Sequence, residues 1–265
     1  TGGCDEQDLD GVRPERHLHA SGWSGGVDGS RIQAREGRLS QDRGSTASSQ
    51  NSDQALTPDM TIKIHQVDLD YLGLQGAIAA WAVEGPDGWV LVESGPESCW
   101  KTLQSGLGSL GVEPGDLKGV LLTHIHLDHA GGAWRLAELG VPVHVHERGA
   151  RHLINPEKLL ASATRIYGDD MDRLWGTLEA CPEQLVHPAS DGDKVTVAGL
   201  EFQAIETPGH ARHHHAWSLE DSTPATVFTG DAAAMLIPDS TWISIPMPPP
   251  EMDLDAWNST IDRLQ

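Results

Sequence analysis

Histidine is concentrated in one part of the chain. Of 14 histidines among 265 residues, 11 fall between His124 and His215. The densest stretch, THIHLDHAGG at residues 123–132, places four potential ligands within six positions: His124, His126, Asp128 and His129. Imidazole nitrogens and carboxylate oxygens are donors that Zn²⁺, Fe and Mn²⁺ accept. The stretch therefore predicts a metal site, in which His124 and His126 can point to one side of an extended loop while Asp128 and His129 face a second ion.

The elements on either side must hold these ligands in place. The short apolar run Gly119–Leu122 predicts a buried strand before them, and residues 130–139 predict a helix that stops at Gly140. The other predicted strands cover residues 61–69, 77–84, 89–93, 141–146, 184–187, 194–197, 200–206, 216–219 and 226–229. The other predicted helices cover residues 97–110, 155–180 with a break at Gly168, and 253–264. Two strand-rich halves separated by helices favour an α+β fold of two sheets with helices outside.

Two further motifs follow predicted strands. Thr207-Pro208-Gly209-His210 and Thr229-Gly230-Asp231 each add a potential ligand. Together with HxHxDH followed by two glycines, they resemble the motifs of the metallo-β-lactamase superfamily. The stretches 144–153, 208–214 and 248–250 resemble a little-characterised bacterial and archaeal branch near glyoxalase II. The resemblance covers residues from about 62 onward, and it implies an αββα sandwich of two mixed sheets with helices on the outer faces.

The resemblance also implies a role for each ligand. His124, His126 and His210 would hold a first divalent ion, Asp128 and His129 a second, and Asp231 would bridge the two. Zinc is the expected metal, with iron or manganese as alternatives. A hydroxide shared by the ions would attack the carbonyl of an ester, thioester or lactone. Asp128 would orient that hydroxide or carry its proton, and no serine or cysteine nucleophile is required.

The sequence departs from the family pattern at two places. Glu93 stands where the family usually has Asp, so we expect it to act as a longer support behind the metal-binding loop. The family supplies one more His on a last strand, and no His follows Asp231 here. We therefore expect a C-terminally truncated chain that lacks this strand and leaves the second ion one ligand short.

Other residues have more than one reading. His214, four positions after His210, fits either a supporting role behind the ligands or simple exposure. His213 and His215 fit solvent-facing or packing positions, and His144 and His146 share one face of a strand without being expected to bind metal. Tyr167 and Arg165 on the 155–180 insert are the predicted substrate contacts, whereas Trp175 fits packing at least as well. Cys99 and Cys181 are predicted to be packing residues.

The composition of the chain indicates a domain boundary, the partners that it disfavours and a cellular compartment. Residues 1–59 are rich in Gly, Ser, Asp and Gln without periodicity, so we predict a disordered extension before a domain at 60–265, with Met60 near the natural start. The net charge of −21 disfavours nucleic acid. No apolar run is long enough for a membrane span, and three widely separated cysteines indicate a reducing compartment, hence the cytoplasm. Oligomeric state is left open.

The predicted function is metal-dependent hydrolysis of a small-molecule ester, thioester or lactone. Glutathione specificity has no support, because the C-terminal helical region that glyoxalase II uses for it is not recognisable. One alternative is a mononuclear iron oxidoreductase of the persulfide dioxygenase kind, which shares HxHxDH. Another is a catalytically incompetent fragment.

Overall fold

The computed structural model describes residues 62–220, 222, 225–236, 241, 243–248 and 252–265. The predicted disordered extension at 1–59 and its boundary at Met60 lie outside the described residues. Six strands form the first sheet: β1 Lys63–Asp68, β2 Ala79–Gly85, β3 Gly88–Val92, β4 Gly119–Leu121, β5 Val143–His146 and β6 Val186–Ala189. Four strands form the second sheet: β7 Lys194–Val197, β8 Leu200–Glu206, β9 His215–Leu219 and β10 Thr226–Phe228. Two short strands, β11 Met235–Leu236 and β12 Ile243–Ser244, pair with each other.

The first sheet is mixed and the second is not. In the first sheet the strands follow chain order, with antiparallel pairing from β1 to β3 and parallel pairing from β3 to β6. The described strands of the second sheet, in the order β10-β9-β8-β7, pair only in antiparallel fashion. The expectation of two mixed sheets is therefore correct for the first sheet alone. Short connections explain the difference, because adjacent antiparallel strands need only a turn whereas parallel strands need a crossover.

Seven α-helices lie among the described residues. They are α1 Trp100–Ser109, α2 Leu127–Ala130, α3 Ala133–Glu138, α4 Glu147–Ile154, α5 Glu157–Tyr167, α6 Met171–Leu174 and α7 Leu254–Leu264. The helix predicted at 130–139 is α3, which starts three residues later and follows the separate short helix α2. Between the two helices, the chain at Gly131 and Gly132 lies directly against the loop at 94–97. The amide N–H of Gly132 donates to the carbonyl of Gly95 at 2.8 Å.

The insert also differs from its prediction. Helix starts at Glu147 rather than at 155, because the ring of His146 accepts the N–H of Arg148 (3.0 Å) and caps the first turn. Residues 175–180 are not helical. The break predicted at Gly168 is present, and this glycine has a φ of +53°.

Alternating side chains of the first sheet enter two separate cores. Val90, Val92 and Leu121 pack between the sheets, against a group from the second sheet that includes Phe202 and Trp217. Their sequence neighbours Leu91, Val120 and Leu122 point the other way. They enter a core beneath the helices that also includes Leu103, Leu107, Leu136 and Leu153. This two-sided burial is what a strand covered on both faces requires. It confirms the predicted sandwich.

The last helix closes the structure on the side of the second sheet. The Asp253 carboxylate caps α7 by accepting the N–H groups of Asp255 and Ala256, both at 3.1 Å. The indole N–H of Trp257 then donates to the carbonyl of Ala232 at 2.8 Å. Among the described residues, no helix combines the length and apolarity needed to cross a bilayer.

Candidate metal centre

The candidate ligands come from loops that leave the strands at one edge of the sandwich. The loop after β4 carries His124, His126, Asp128 and His129, with the last two on α2. The loop after β8 carries His210, and the turn after β10 carries Asp231. Residues 86 positions apart in sequence thereby come into contact, since His124 and His210 lie 3.2 Å apart between their Nε2 atoms.

Three ring nitrogens converge on one point. The Nδ1 atom of His126 lies 2.9 Å from the Nε2 atoms of both His124 and His210. Nitrogens bound to one tetrahedral zinc at ordinary bond lengths lie about 3.3 Å apart. The distances between the three ring nitrogens are therefore close to those expected around a shared cation.

Hydrogen bonds behind the rings fix where their protons are. The hydroxyl of Thr123 donates to the Glu93 carboxylate at 2.5 Å, so it must accept the proton on Nδ1 of His124 (3.0 Å). The Nδ1 atom of His210 lies 2.9 Å from the carbonyl oxygen of Pro246, which only accepts. Both Nε2 atoms consequently present lone pairs, and among the three converging nitrogens only Nδ1 of His126 can carry a proton. A single cation can accept the lone pairs of all three rings, so the donor set fits a metal ion.

A second group of donors adjoins the first. One carboxylate oxygen of Asp231 lies 3.3 Å from Nε2 of His210, and the other lies 3.3 Å from Nε2 of His129. A carboxylate oxygen of Asp128 is 3.6 Å from the same His129 nitrogen. His124, His129 and Asp231 also offer ligand atoms within 4.8 Å of one another. Asp231 thus lies between the two groups of donors.

Glu93 supports both groups from behind. Its carboxylate accepts the hydroxyl of Thr123, which orients His124, and lies 3.2 Å from Nδ1 of His129. Its side chain is only 6% exposed. The residue has a φ of +65°, which is uncommon for a non-glycine residue. Glu93 therefore contacts residues of both donor groups, and its supporting role stays a prediction.

His214 supports Asp231. The backbone N–H of Asp231 donates to Nε2 of His214 at 3.1 Å, so the other nitrogen carries the proton and donates to the Thr207 hydroxyl at 2.7 Å. The ring of His214 is fully buried, which excludes the alternative that this residue is exposed to solvent. Gly230 has a φ of +48°, and a Cβ there would collide with Thr123 and His214. The turn that carries Asp231 therefore packs directly against Thr123 and His214.

Burial and charge act on the ligands in opposite directions. Burial, followed by the neighbouring histidines, holds the pKa values of His124 and His126 well below their usual value. Burial also lowers the pKa of His129, but the carboxylates of Asp128 and Glu93 and the hydrogen bond with Asp231 outweigh it and hold that pKa well above its usual value. Burial raises the pKa of Asp231, yet the hydrogen bond with His129 and the adjacent histidines lower it overall. Without a cation, a proton on His129 thus balances the carboxylates.

Two cavities open onto the donors. One of about 600 Å³ reaches Glu93, Asp128, His129 and Asp231 along an apolar cleft between β2 and β10. The other, of about 500 Å³, reaches His126, Asp128, His210 and Asp231 beneath α5. Tyr167 and Trp175 line this second cavity, whereas Arg165 is exposed and lines neither cavity. The structure therefore brings Tyr167, but not Arg165, to the site.

The remaining histidines and cysteines lie outside the donor groups. His215 is buried, and its Nε2 donates to the carbonyl of Leu122 at 3.0 Å. The His144 ring stacks on His187 with centroids 5.2 Å apart. Cys99 and Cys181 are buried free thiols, as predicted, and burial raises the pKa of Cys181 to about 12. Sequence reasoning missed Thr123 and Pro246, whose oxygens orient His124 and His210, and Thr207, whose hydroxyl orients the supporting His214. The two threonines open their motifs and could have been recognised.

Known proteins share the fold and the sequence pattern. A family model described as the metallo-beta-lactamase superfamily matches residues 73–265. A metallo-beta-lactamase fold-containing protein of Sulfurisphaera tokodaii is 29% identical over 149 residues, which are 54% of this chain and 54% of that protein. A hydroxyacylglutathione hydrolase of a Marinomonas species is 30% identical over 115 residues, which are 43% of this chain and 32% of that protein. The chain thus aligns with about half or less of each of these relatives.

Solved structures agree at the level of the fold. The structure of an archaeal metallo-beta-lactamase superfamily protein from Sulfolobus tokodaii superposes with a TM-score of 0.61. Its sequence identity is 22%, and the match covers 76% of this chain and 74% of that one. At this identity the likeness shows a common architecture, and the chemistry must be argued from the residues of the site.

Proposed function

Because the chain belongs to the metallo-β-lactamase superfamily and gathers six donor side chains at one edge of the sandwich, we propose that it is a metal-dependent hydrolase. Its substrate is a small ester, thioester or lactone. The observation that carries this proposal is the convergence of three imidazole nitrogens: the Nε2 atoms of His124 and His210 lie 3.2 Å apart, and Nδ1 of His126 lies 2.9 Å from both. One cation can accept the lone pairs of all three rings, whereas a proton on His126 would have to be shared between two acceptors.

The proposal assigns two divalent ions. His124, His126 and His210 hold one, Asp128 and His129 hold the other, and Asp231 contributes to both. Neutral imidazoles with carboxylates suit zinc, and they accept iron or manganese as well. Bound ions of this kind lower the pKa of water and polarise a carbonyl, which are the two needs of ester hydrolysis.

The chain's own residues position the reactants. Asp128 lines both cavities, and 36% of its side chain is exposed, so its carboxylate can orient the attacking water and take its proton. Glu93, Thr123 and His214 hold the ligand rings and the Asp231 turn in one geometry, which reduces the reorganisation needed during reaction. Tyr167 belongs to the wall of the cavity that receives the substrate.

The name of the Marinomonas relative points to glutathione thioesters. Glutathione carries two carboxylates, and no Lys or Arg is found among the described residues that line either cavity. We therefore do not extend that substrate to this chain.

The first test is metal content. Elemental analysis of protein purified without an affinity-tag histidine run should find two divalent ions per chain. Hydrolysis of 4-nitrophenyl acetate should disappear after chelation and return with added zinc. Asp231→Ala should lose both metal and hydrolysis, whereas His187→Ala, which alters an exposed histidine on β6, should lose neither.

Three results would contradict the proposal. A single iron per chain, with oxygen uptake on a persulfide, would support the mononuclear dioxygenase alternative instead. Retained turnover in Asp231→Ala, or no metal binding above background, would remove the hydrolase assignment altogether.

A further inference from the structure

The cavity beneath α5 has an apolar wall opposite its metal-binding end. At one end, its lining includes the candidate ligands His126, Asp128, His210 and Asp231. The other wall consists of Leu159, Ala163, Ile166, Tyr167, Trp175 and Met247. The wall is therefore continuous with the site where the carbonyl would react.

Two members of this wall are exposed to a degree that packing does not explain. Ile166 is 67% exposed and Met247 is 55% exposed. Single exposed apolar residues are ordinary, but these two face one cavity together with two aromatic rings. The rings are packed against each other, because Tyr167 meets Trp175 edge-on with centroids 5.1 Å apart and Tyr71 stacks on Trp175 at 5.7 Å. A firm apolar wall of this kind suits a ligand group that removes it from water.

The charged residues of the cavity lie at its metal-binding end. The described lining includes the carboxylates of Asp128 and Asp231, which are candidate metal ligands, and no Lys or Arg. A carboxylate on the part of the substrate that lies against the apolar wall would therefore lose its hydration without gaining a basic partner there, at a cost set by desolvation.

From this wall and these charges we infer the substrate class, an inference that rests on the proposed function. The substrate carries an uncharged, apolar group of several carbons or an aromatic ring. That group lies against Ile166, Tyr167 and Met247 while the carbonyl lies at the metal-binding end. The wall is thus the part of the site that selects the substrate.

A binding experiment tests the inference without requiring turnover. Ligand-observed NMR on zinc-supplemented protein compares N-hexylacetamide with N-methylacetamide, two uncharged amides that resist hydrolysis. The hexyl compound should bind at least about tenfold more tightly, because each buried methylene adds a favourable contribution. Ile166→Lys should weaken hexyl binding about tenfold. Leu160→Lys is the matched control, since Leu160 lies on the same helix, is 39% exposed and does not line the cavity.

A turnover experiment tests the charge. The kcat/KM for 4-nitrophenyl hexanoate should exceed that for the 4-nitrophenyl monoester of adipic acid, which has a similar length but ends in a carboxylate, by about tenfold or more. Ile166→Lys should reduce that ratio about tenfold.

The two experiments separate the possible failures. Equal binding of the two amides, an equal effect of Leu160→Lys, or a preference for the adipate ester would overturn the substrate class. Absence of hydrolysis for every ester would overturn the proposed function, and the amide measurement would still decide whether the wall binds an apolar group.

Discussion

The Glu93 carboxylate accepts the hydroxyl of Thr123 at 2.5 Å, and the same carboxylate lies 3.2 Å from the ring of His129. One side chain therefore orients a histidine in each of the two donor groups, because Thr123 in turn accepts from His124. A displacement of Glu93 should therefore affect both candidate ion sites. This relationship also explains how a glutamate serves at a position where an aspartate was expected.

Replacing Glu93 by Gln should weaken metal binding without unfolding the protein. The amide retains the shape but presents an N–H₂ group to one of its two donor partners, so either His124 or His129 loses its orientation. Loss of such an outer partner typically costs about 10–100-fold in metal affinity. Competition with a fluorescent zinc chelator measures the change. Glu113→Gln, at an exposed position, is the control, and equal affinities in both variants would contradict the role of Glu93.

Thr207→Val should act on Asp231 through His214. Valine has the shape of threonine but cannot accept the proton on Nδ1 of His214, so this ring becomes free to release the backbone N–H of Asp231. The buried donor left behind costs about 1–3 kcal/mol. Because Asp231 contributes to both proposed ion sites, we expect both metal equivalents to bind more weakly than in the unaltered protein, as measured by calorimetric titration of the metal-free protein. Unchanged affinity for both equivalents would contradict the role of Thr207.

Gly209→Ala should displace the loop that carries His210. Gly209 has a φ of +130°, and a Cβ there would lie 2.5 Å from Cα of Trp257. Backbone strain and this collision together should lower the free energy of unfolding by about 2 kcal/mol or more. Denaturant unfolding of the metal-free protein measures the loss, and Gly108→Ala, where a Cβ meets nothing within 4 Å, is the control. A normal unfolding midpoint would mean that α7 does not pack on Gly209.

Acid should destabilise the metal-free protein through histidines that are not ligands. Burial, together with neighbouring His146, lowers the pKa of His215 to about 3 from a usual value of 6.5. The unfolded state thus takes up a proton below pH 6.5 while the folded state does not, so stability falls as pH decreases from about 6.5 to about 3. Between pH 8 and pH 5 this single group should cost about 2 kcal/mol. Unfolding in the presence of chelator gives the slope, which His215→Gln should reduce; an unchanged slope would contradict the assignment.

The order of elements was largely predictable from local patterns. β7 and β8 have the predicted bounds, and most other predicted strands lie within a few residues of the observed ones. These elements could be predicted because alternating apolar residues and glycine turns are local signals. The start of α4 was missed because its cap is a histidine ring rather than a Ser, Thr, Asp or Asn side chain. The split between α2 and α3 was missed because its cause is contact with residues 94–97, which lie far away in sequence.

By itself the sequence determined which residues can bind metal, since the spacing of His124, His126, Asp128 and His129 and the motifs at His210 and Asp231 are local properties. Only the tertiary structure decided which atoms face each other. The tautomers of His124 and His210 depend on Thr123 and on Pro246, 36 residues from His210, and the orientation of Asp231 depends on His214. Tyr167 reaches the cavity and Arg165 does not, although both lie in the last turn of α5, because the direction of a helix face is set by packing against other elements. Hydrogen bonds and packing between distant segments leave no periodic trace in the chain, and for that reason the sequence indicates candidate ligands but not their geometry.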